Sequence, residues 1–277
     1  MGDEGIRILI DATASDAVAA RHADWLAQGI HVVTACKLGA GTSLQRWRAI
    51  RSACVQVGTR YGDSATVGAG LPLLRSIRDL QAGGDRIHAI AGVLSGSLAW
   101  LFHHYDGLRP FSSFVHEAHN AGYTEPDPRE DLSGEDVCRK LLILARAAGV
   151  ALDRDAVAVE SLVPPALAMR DRQHMEGALP QLDAPLRARY AAAYKRGEKL
   201  RFIARLQCDG QQAASVRVGL ESLAADDPLG GGAGTDNRVA IWSDRYRKQP
   251  LLIQGPGAGA EVTAAALLDD ALRIARA

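Results

Sequence analysis

No charge of one sign dominates this chain. Thirty-two lysines and arginines face 32 aspartates and glutamates over 277 residues. That balance gives no support for a nucleic-acid partner or an anionic membrane partner. Cysteine is scarce. Cys36, Cys54, Cys138 and Cys208 are scattered, in no CxxC pair and no metal-ligand spacing. With no signal segment at the start, they read as reduced thiols of a cytoplasmic protein. No apolar run approaches the roughly 18 residues of a membrane span, and no internal repeat is present. A further absence bears on chemistry. The first strand-to-helix turn, Asp11-Ala12-Thr13-Ala14-Ser15, has no glycine. A dinucleotide fingerprint would put GxGxxG there and an acid about 20 residues on.

What is present suits a packed α/β protein. Hydrophobic residues make up 47% of the chain, enough for one large domain or two small ones. Residues 6–10 read as a buried strand. Ser15 or Asp16 caps a helix with Val18, Trp25 and Leu26 that ends at Gly29. Strand 30–34, a helix over 43–51 and a third strand over 54–57 complete a β-α-β-α-β pattern, one half of a doubly wound sheet. Past residue 65 the pattern changes. Pro72 opens a helix with Leu73, Leu74, Ile77 and Leu80, closed by Gly83-Gly84. Strand 87–94 and two short helices follow. A charged helix over 186–195 precedes strands at 200–207, 214–219 and 239–243. Residues 230–232 are a glycine loop, strand 251–253 enters a glycine-rich turn, and a helix runs from 262 almost to the end. The reading is α/β: a partial doubly wound, Rossmann-like nucleotide-binding domain over residues 1–65 and 250–277, around an α+β catalytic and dimerisation domain over 66–249.

The densest chemistry lies in residues 122–140, which pack six acids and three bases into nineteen positions. Pro126 and Pro128 fix their own φ and push Glu125 and Asp127 away from helical geometry. The acids before Leu132 are therefore expected on a stiff, extended loop. Ser133 reads as the N-cap of a helix over 135–148, with Asp136 as a capping-box partner. Val137, Leu141, Leu144, Ala145 and Ala148 form its apolar stripe, and Asp136 and Lys140 are i,i+4 neighbours on another face. On its own that pair reads equally as a surface ion pair, worth roughly 0.3–0.5 kcal/mol.

The segment Thr124-Glu125-Pro126-Asp127-Pro128, followed by Asp131-Leu132-Ser133-Gly134, Asp136 and Lys140, resembles the signature of homoserine dehydrogenases. The likeness covers nearly the whole chain. It takes in Ala65-Thr66-Val67-Gly68-Ala69-Gly70-Leu71-Pro72, Leu94-Ser95-Gly96-Ser97-Leu98 and the closing segment from Gly255 to Ala264. It is fullest with the C-terminal part of bifunctional aspartate kinase–homoserine dehydrogenases. The resemblance implies NADP- or NAD-dependent, reversible reduction of L-aspartate 4-semialdehyde to L-homoserine, in threonine, methionine and isoleucine biosynthesis, by a homodimer or larger homo-oligomer. It assigns Glu125 and Asp136 to the amino-acid substrate and Lys140 as proton donor. Asp131 is a further candidate for the substrate ammonium, since carboxylates make charge-assisted bonds to such a group, and Gly96, Ser97 and Tyr123 are expected to line the pocket. Lys37 is expected near the cofactor and reaction centre, where Cys36 replaces the family's usual asparagine. Thr13 is expected at the nicotinamide, and Gly259 in a turn that folds back against the cofactor. The backbone carbonyls of Val67, Ala69 and Leu71 match the ligands of a monovalent cation such as sodium, and the glutamate that joins them in some members falls at Ser64. In the family the GxGxxG lies in an earlier β-α-β half, so this sequence is expected to begin inside the nucleotide-binding domain. A non-catalytic remnant, able to dimerise or bind substrate without holding cofactor productively, is the alternative.

Overall fold

Two sheets organise the chain. The computed structural model describes residues 5–171, 174–210, 212–232 and 234–276. The first sheet is parallel, in the order β1-β2-β3, with β1 Ile8–Asp11, β2 His31–Thr34 and β3 Tyr61–Gly62. Asp11 and Thr34 stand side by side at the carboxyl ends of β1 and β2. Between these strands the expected single helix is two, α1 Asp16–Ala19 and α2 His22–Ala27. Ser15 caps α1 by accepting from the Val18 N–H. The break after Ala19 lets α2 turn His22 fully into the interior.

The next helix, α3, runs Leu44–Val57, well past the expected end at 51. Residues 54–57 are therefore its last turn and not a strand. Ile50 and Ala53 face the core while Val55 is 79% exposed, a helical pattern that no buried strand would show. Gly58, at φ 76°, ends the helix in the left-handed conformation. The third strand is β3, only two residues long.

A 3₁₀ turn over Ser64–Thr66 leads to α4 Leu73–Ala82, whose Leu73, Leu74, Ile77 and Leu80 are buried as their spacing requires. Then come β4 Ile87–Val93, α5 Gly96–His104 and α6 Phe111–Asn120. The acid-rich segment is not wholly extended. Asp127 takes β geometry and caps a short helix, α7 Pro128–Leu132, with Pro128 in its first turn, so Glu130 and Asp131 are helical. Ser133 closes α7. The N-cap of α8 Glu135–Ala147 is Gly134 at φ 75°, and Ser133 contributes only an oxygen to the Glu135 N–H.

Further on lie β5 Ala158–Val159, α9 Pro165–Ala168, α10 Asp183–Lys195, β6 Lys199–Asp209, β7 Gln212–Leu223, β8 Asp236–Ser243, β9 Leu251–Pro256 and α11 Ala260–Ala275. The second sheet has the order β5-β7-β6-β4-β8-β9, antiparallel except where β5 meets β7. Residues 251–256, assigned on sequence with the first unit, thus pair with β8 at an edge of this sheet. After them α11 returns to the first sheet and packs against β2 and β3. The main core lies on one face of the six-stranded sheet. There Ile90, Val239, Ile241 and Phe202 meet Leu73 and Ile77 of α4 and Leu141 and Leu144 of α8.

Candidate functional site

The carboxyl end of β4 is where the conspicuous residues gather. The chain leaves β4 through Leu94 and Ser95, and Ser95 caps α5 by accepting from the Leu98 N–H. Across this turn lies the first half of α8. Lys140 is 8% exposed; its ammonium donates to the Leu94 carbonyl at 2.7 Å and pairs with Asp136 Oδ2 at 2.9 Å. It is therefore not a surface ion pair. Burial lowers its pKa from the ordinary 10.5, and Asp136 opposes that shift. The other oxygen of Asp136 lies 3.5 Å from Lys37 Nζ, so one carboxylate bridges two ammonium groups. Burial would raise the Asp136 pKa, but Lys140 and Lys37 together hold it below the ordinary 3.8.

Asp131 organises the other side of this turn. Its Oδ1 accepts from the Ser97 hydroxyl at 2.6 Å and its Oδ2 from the Glu125 N–H at 2.8 Å. Burial, with Asp136 nearby, raises its pKa. Ser97 is buried, and its oxygen lies 2.8 Å from that of Ser95. Gly96 brings α5 close to β8, because a Cβ there would lie 3.2 Å from the Thr235 carbonyl. Tyr123 is 45% exposed and stands against Trp100, with ring centroids 5.6 Å apart. Among the described residues the Glu125 carboxylate has no hydrogen-bond or ionic partner, so it is free for a ligand. Asp127 is engaged by Arg129, whose guanidinium also donates to the carbonyls of Leu167 and Arg170.

Lys37 and Thr13 come from the first sheet, at the ends of β2 and β1, where ligands of open α/β sheets bind. Thr13 donates from both its N–H and its hydroxyl to Asp11 Oδ1, at 2.9 and 2.7 Å. Asp11 is buried, and its other oxygen is 2.9 Å from His22 Nε2; His22 Nδ1 is 3.0 Å from the Tyr61 hydroxyl. Burial would raise the Asp11 pKa, but the bonds from Thr13 and His22 leave it lowered. Sequence reasoning passed over this Asp11–His22–Tyr61 chain. Only the acid at a strand end hinted at it.

The glycine turn between β9 and α11 packs tightly. A Cβ on Gly257 would fall 1.9 Å from Asn237 Oδ1, and one on Gly255 would lie 3.0 Å from Leu71 Cδ2. At Gly257 the approach leaves no room for a side chain. Gly259 stands at φ 139° as the N-cap of α11. Gly70 abuts Val262, so this turn and the loop 67–71 form one contact. Among the described residues no hydrogen bond or ion pair joins Gly259 to Thr13, Lys37 or Lys140.

The donor set suits the nicotinamide end of a dinucleotide better than a cation. Lys37 and the Thr13 turn follow the carboxyl ends of neighbouring parallel strands, β2 and β1, where the ligands of open α/β sheets bind. Of the three candidate cation carbonyls, that of Leu71 already accepts from the Leu73 N–H. Ser64 turns its hydroxyl away, onto Asp270 Oδ1 at 2.9 Å. Among the described residues no cluster of three His, Cys, Asp or Glu side chains is placed to hold a metal ion. No helix among the described residues is long and apolar enough to cross a membrane.

The sequence matches the homoserine dehydrogenase family over residues 72–272. It is 42% identical to the bifunctional aspartokinase/homoserine dehydrogenase 2 of Escherichia coli, over 97% of this chain and 33% of that protein. It is 36% identical to the homoserine dehydrogenase of Paracoccidioides brasiliensis, over 98% of this chain and 74% of that one. The chain thus spans about a third of the bifunctional relatives and about three quarters of the fungal ones. Among solved structures, a Candida auris protein of unknown function superposes with a TM-score of 0.92 at 35% identity, covering 98% of this chain and 76% of that chain. A hyperthermophilic archaeal homoserine dehydrogenase in complex with NADPH shares the fold, with a TM-score of 0.72 at 20% identity over 96% of this chain and 70% of its own. Two independent lines, the family match and a relative of similar extent, lead to one statement: the chain belongs to the homoserine dehydrogenase family.

Proposed function

We propose that this chain carries the substrate and proton-transfer machinery for reducing L-aspartate 4-semialdehyde to L-homoserine, reversibly, with NADPH or NADH. The observation that carries the reading is Lys140. It is a buried ammonium with a lowered pKa, held between a carbonyl and a carboxylate and bridged through Asp136 to a second lysine. Few structural needs explain two lysines on one half-buried acid, since burying charge is costly. Carbonyl reduction does, because it creates an alkoxide that needs a proton and nearby positive charge at once.

The roles follow from the contacts. Glu125, with its carboxylate unpartnered, takes the substrate ammonium through a charge-assisted bond. Asp131 holds the Glu125 backbone and Ser97 in register, and Asp136 adds negative charge on the same side. Gly96, Ser97 and Tyr123 line the pocket. Lys140 gives its proton to the carbonyl oxygen. Lys37, beside Asp136, stabilises charge at the face toward β1 and β2. Thr13 and Gly259 hold the nicotinamide, which when bound supplies the hydride. The archaeal relative solved with NADPH supports a nicotinamide nucleotide as cofactor. Val67, Ala69 and Leu71 would offer only backbone oxygens to a sodium ion. By the family resemblance the chain works in the cytoplasm as a homodimer or larger homo-oligomer in threonine, methionine and isoleucine synthesis. The three-stranded sheet with α11 forms the cofactor-facing unit, and the six-stranded sheet with its helices forms the catalytic unit.

The deciding experiment follows NADPH oxidation after adding aspartate semialdehyde, for the chain and for Lys140→Ala. The expected outcome is turnover that falls by about 10²–10⁴-fold in the variant, with an unchanged far-ultraviolet dichroism spectrum. Near-wild-type turnover in the variant rejects Lys140 as donor. A folded chain that binds neither NADPH nor NADH favours the non-catalytic remnant.

A further inference from the structure

A second cavity, of about 310 Å³, lies away from Lys140, where α3 and β3 of the first unit meet α4 and α8 of the second. It stands beside β3, at the edge of the three-stranded sheet opposite β1. Trp47 and Tyr61 give it aromatic walls, and Ile50 and Ile143 give it an apolar floor. Its charge is lopsided. Arg51, Arg78 and Arg146 line it against one carboxylate, Asp63. Asp63 is already matched to Arg78 by two hydrogen bonds of 2.7 and 2.8 Å. Arg146 is 3% exposed, yet its guanidinium donates only to the carbonyls of Ala40, Thr42 and Leu152. Neither Arg51 nor Arg146 has a carboxylate within ion-pair distance among the described residues. A buried cation without a counter-ion is costly, and here it borders a space large enough for a small molecule.

Two buried chains of hydrogen bonds leave this cavity. Tyr61 leads through His22 to Asp11, which holds the Thr13 turn. Arg146 holds the carbonyls of Ala40 and Thr42, in the turn that follows Lys37 and is closed by the Gly41 N–H on the Lys37 carbonyl at 2.7 Å. Gly39, in that same turn, lies against the first chain, since a Cβ there would fall 2.3 Å from the Tyr61 hydroxyl and 2.9 Å from His22 Nδ1. The cavity thus touches the supports of both turns that face the reaction centre.

We propose that this cavity is a second ligand site, for an organic anion with a planar apolar body, and that filling it stiffens the turns bearing Thr13 and Lys37. The anionic group meets Arg51 through charge-assisted bonds, Arg146 adds its charge and the one N–H that its carbonyl partners leave over, and the ring lies along Trp47 and Tyr61. Coupling arises because the ligand adds contacts to residues that fix both turns.

The test measures binding and amide exchange rather than turnover, so it stands apart from the proposed reaction. The probe is 2-naphthoate, with the neutral isostere 2-naphthamide as control, titrated by calorimetry into the chain and into Arg51→Ala. Arg51 is exposed on α3, so its truncation spares the core. Saturable naphthoate binding is expected, about 10-fold or more tighter than naphthamide, weakened about 5–10-fold in the variant. Exchange should slow at residues 12–15 and 37–42. Absence of naphthoate binding, equal affinity for the amide, or indifference to Arg51→Ala overturns the site. Binding with unchanged exchange at both turns overturns the coupling.

Discussion

Burial and Asp136 pull the Lys140 ammonium in opposite directions, and that opposition is testable through pH. A proton donor must be charged, so reduction falls as pH rises through the lysine's pKa. Burial has lowered that pKa from 10.5, so the decline begins at lower pH than for a free lysine. Asp136 is the largest influence holding it up. Removing the charge by Asp136→Asn leaves burial and Lys37 less opposed, so the pKa drops further. The alkaline limb of kcat/KM for aspartate semialdehyde is expected to move to lower pH in that variant. A limb that stays in place, or moves up, would show that another group gives the proton.

An element positions those residues, and α8 depends on how it begins. Gly134 enters at φ 75°, and a Cβ there would come within 2.8 Å of Phe202 Cζ, a ring buried in the core. Gly134→Ala therefore carries a left-handed penalty and a steric one, together about 2–4 kcal/mol. Gly122, at φ 72° with open space around it, carries only the first, about 1–2 kcal/mol. Urea unfolding of both alanine variants checks the difference. Only Gly134→Ala should also lower kcat, because Asp136 lies two residues on. Equal losses in both would deny the contact with Phe202 its role. The sequence announced α8 well, since its apolar stripe has one consistent period. Its start was misread because Ser133 has the right chemistry for a cap but is already committed as the end of α7. The end of α3 was misread for a similar reason. Residues 54–57 are short and apolar, and only their burial, invisible in sequence, separates a last helical turn from a strand. The bond from Lys140 to the Leu94 carbonyl spans 46 positions, and no local pattern encodes it. The His22 and Arg146 networks escaped notice likewise, because nothing adjacent in sequence marks their partners.

At the scale of the molecule, the proposed reading gives the cofactor's two ends unequal support. On that reading the nicotinamide end would have Thr13, braced by Asp11, and Lys37, braced by Asp136. For the pyrophosphate, binding to α/β sheets relies on a glycine turn feeding a helix N-terminus. The turn after β1 has no glycine and enters α1, a helix of four residues. The glycine turn at 255–259 joins an antiparallel edge strand to α11, with Asn237 occupying the space beside Gly257. Neither is built as a phosphate cradle. Affinity contributed by this chain should therefore come almost wholly from the nicotinamide half. Reduced nicotinamide mononucleotide is expected to bind within about 10-fold of NADPH, a gap of no more than about 1.4 kcal/mol. Titration of both by nicotinamide fluorescence settles the ratio. NADPH binding more than about 100-fold tighter, which is about 2.7 kcal/mol, would mean that some other surface of the chain grips the adenylate half, and the division of labour argued from Thr13, Lys37 and the two turns would be wrong.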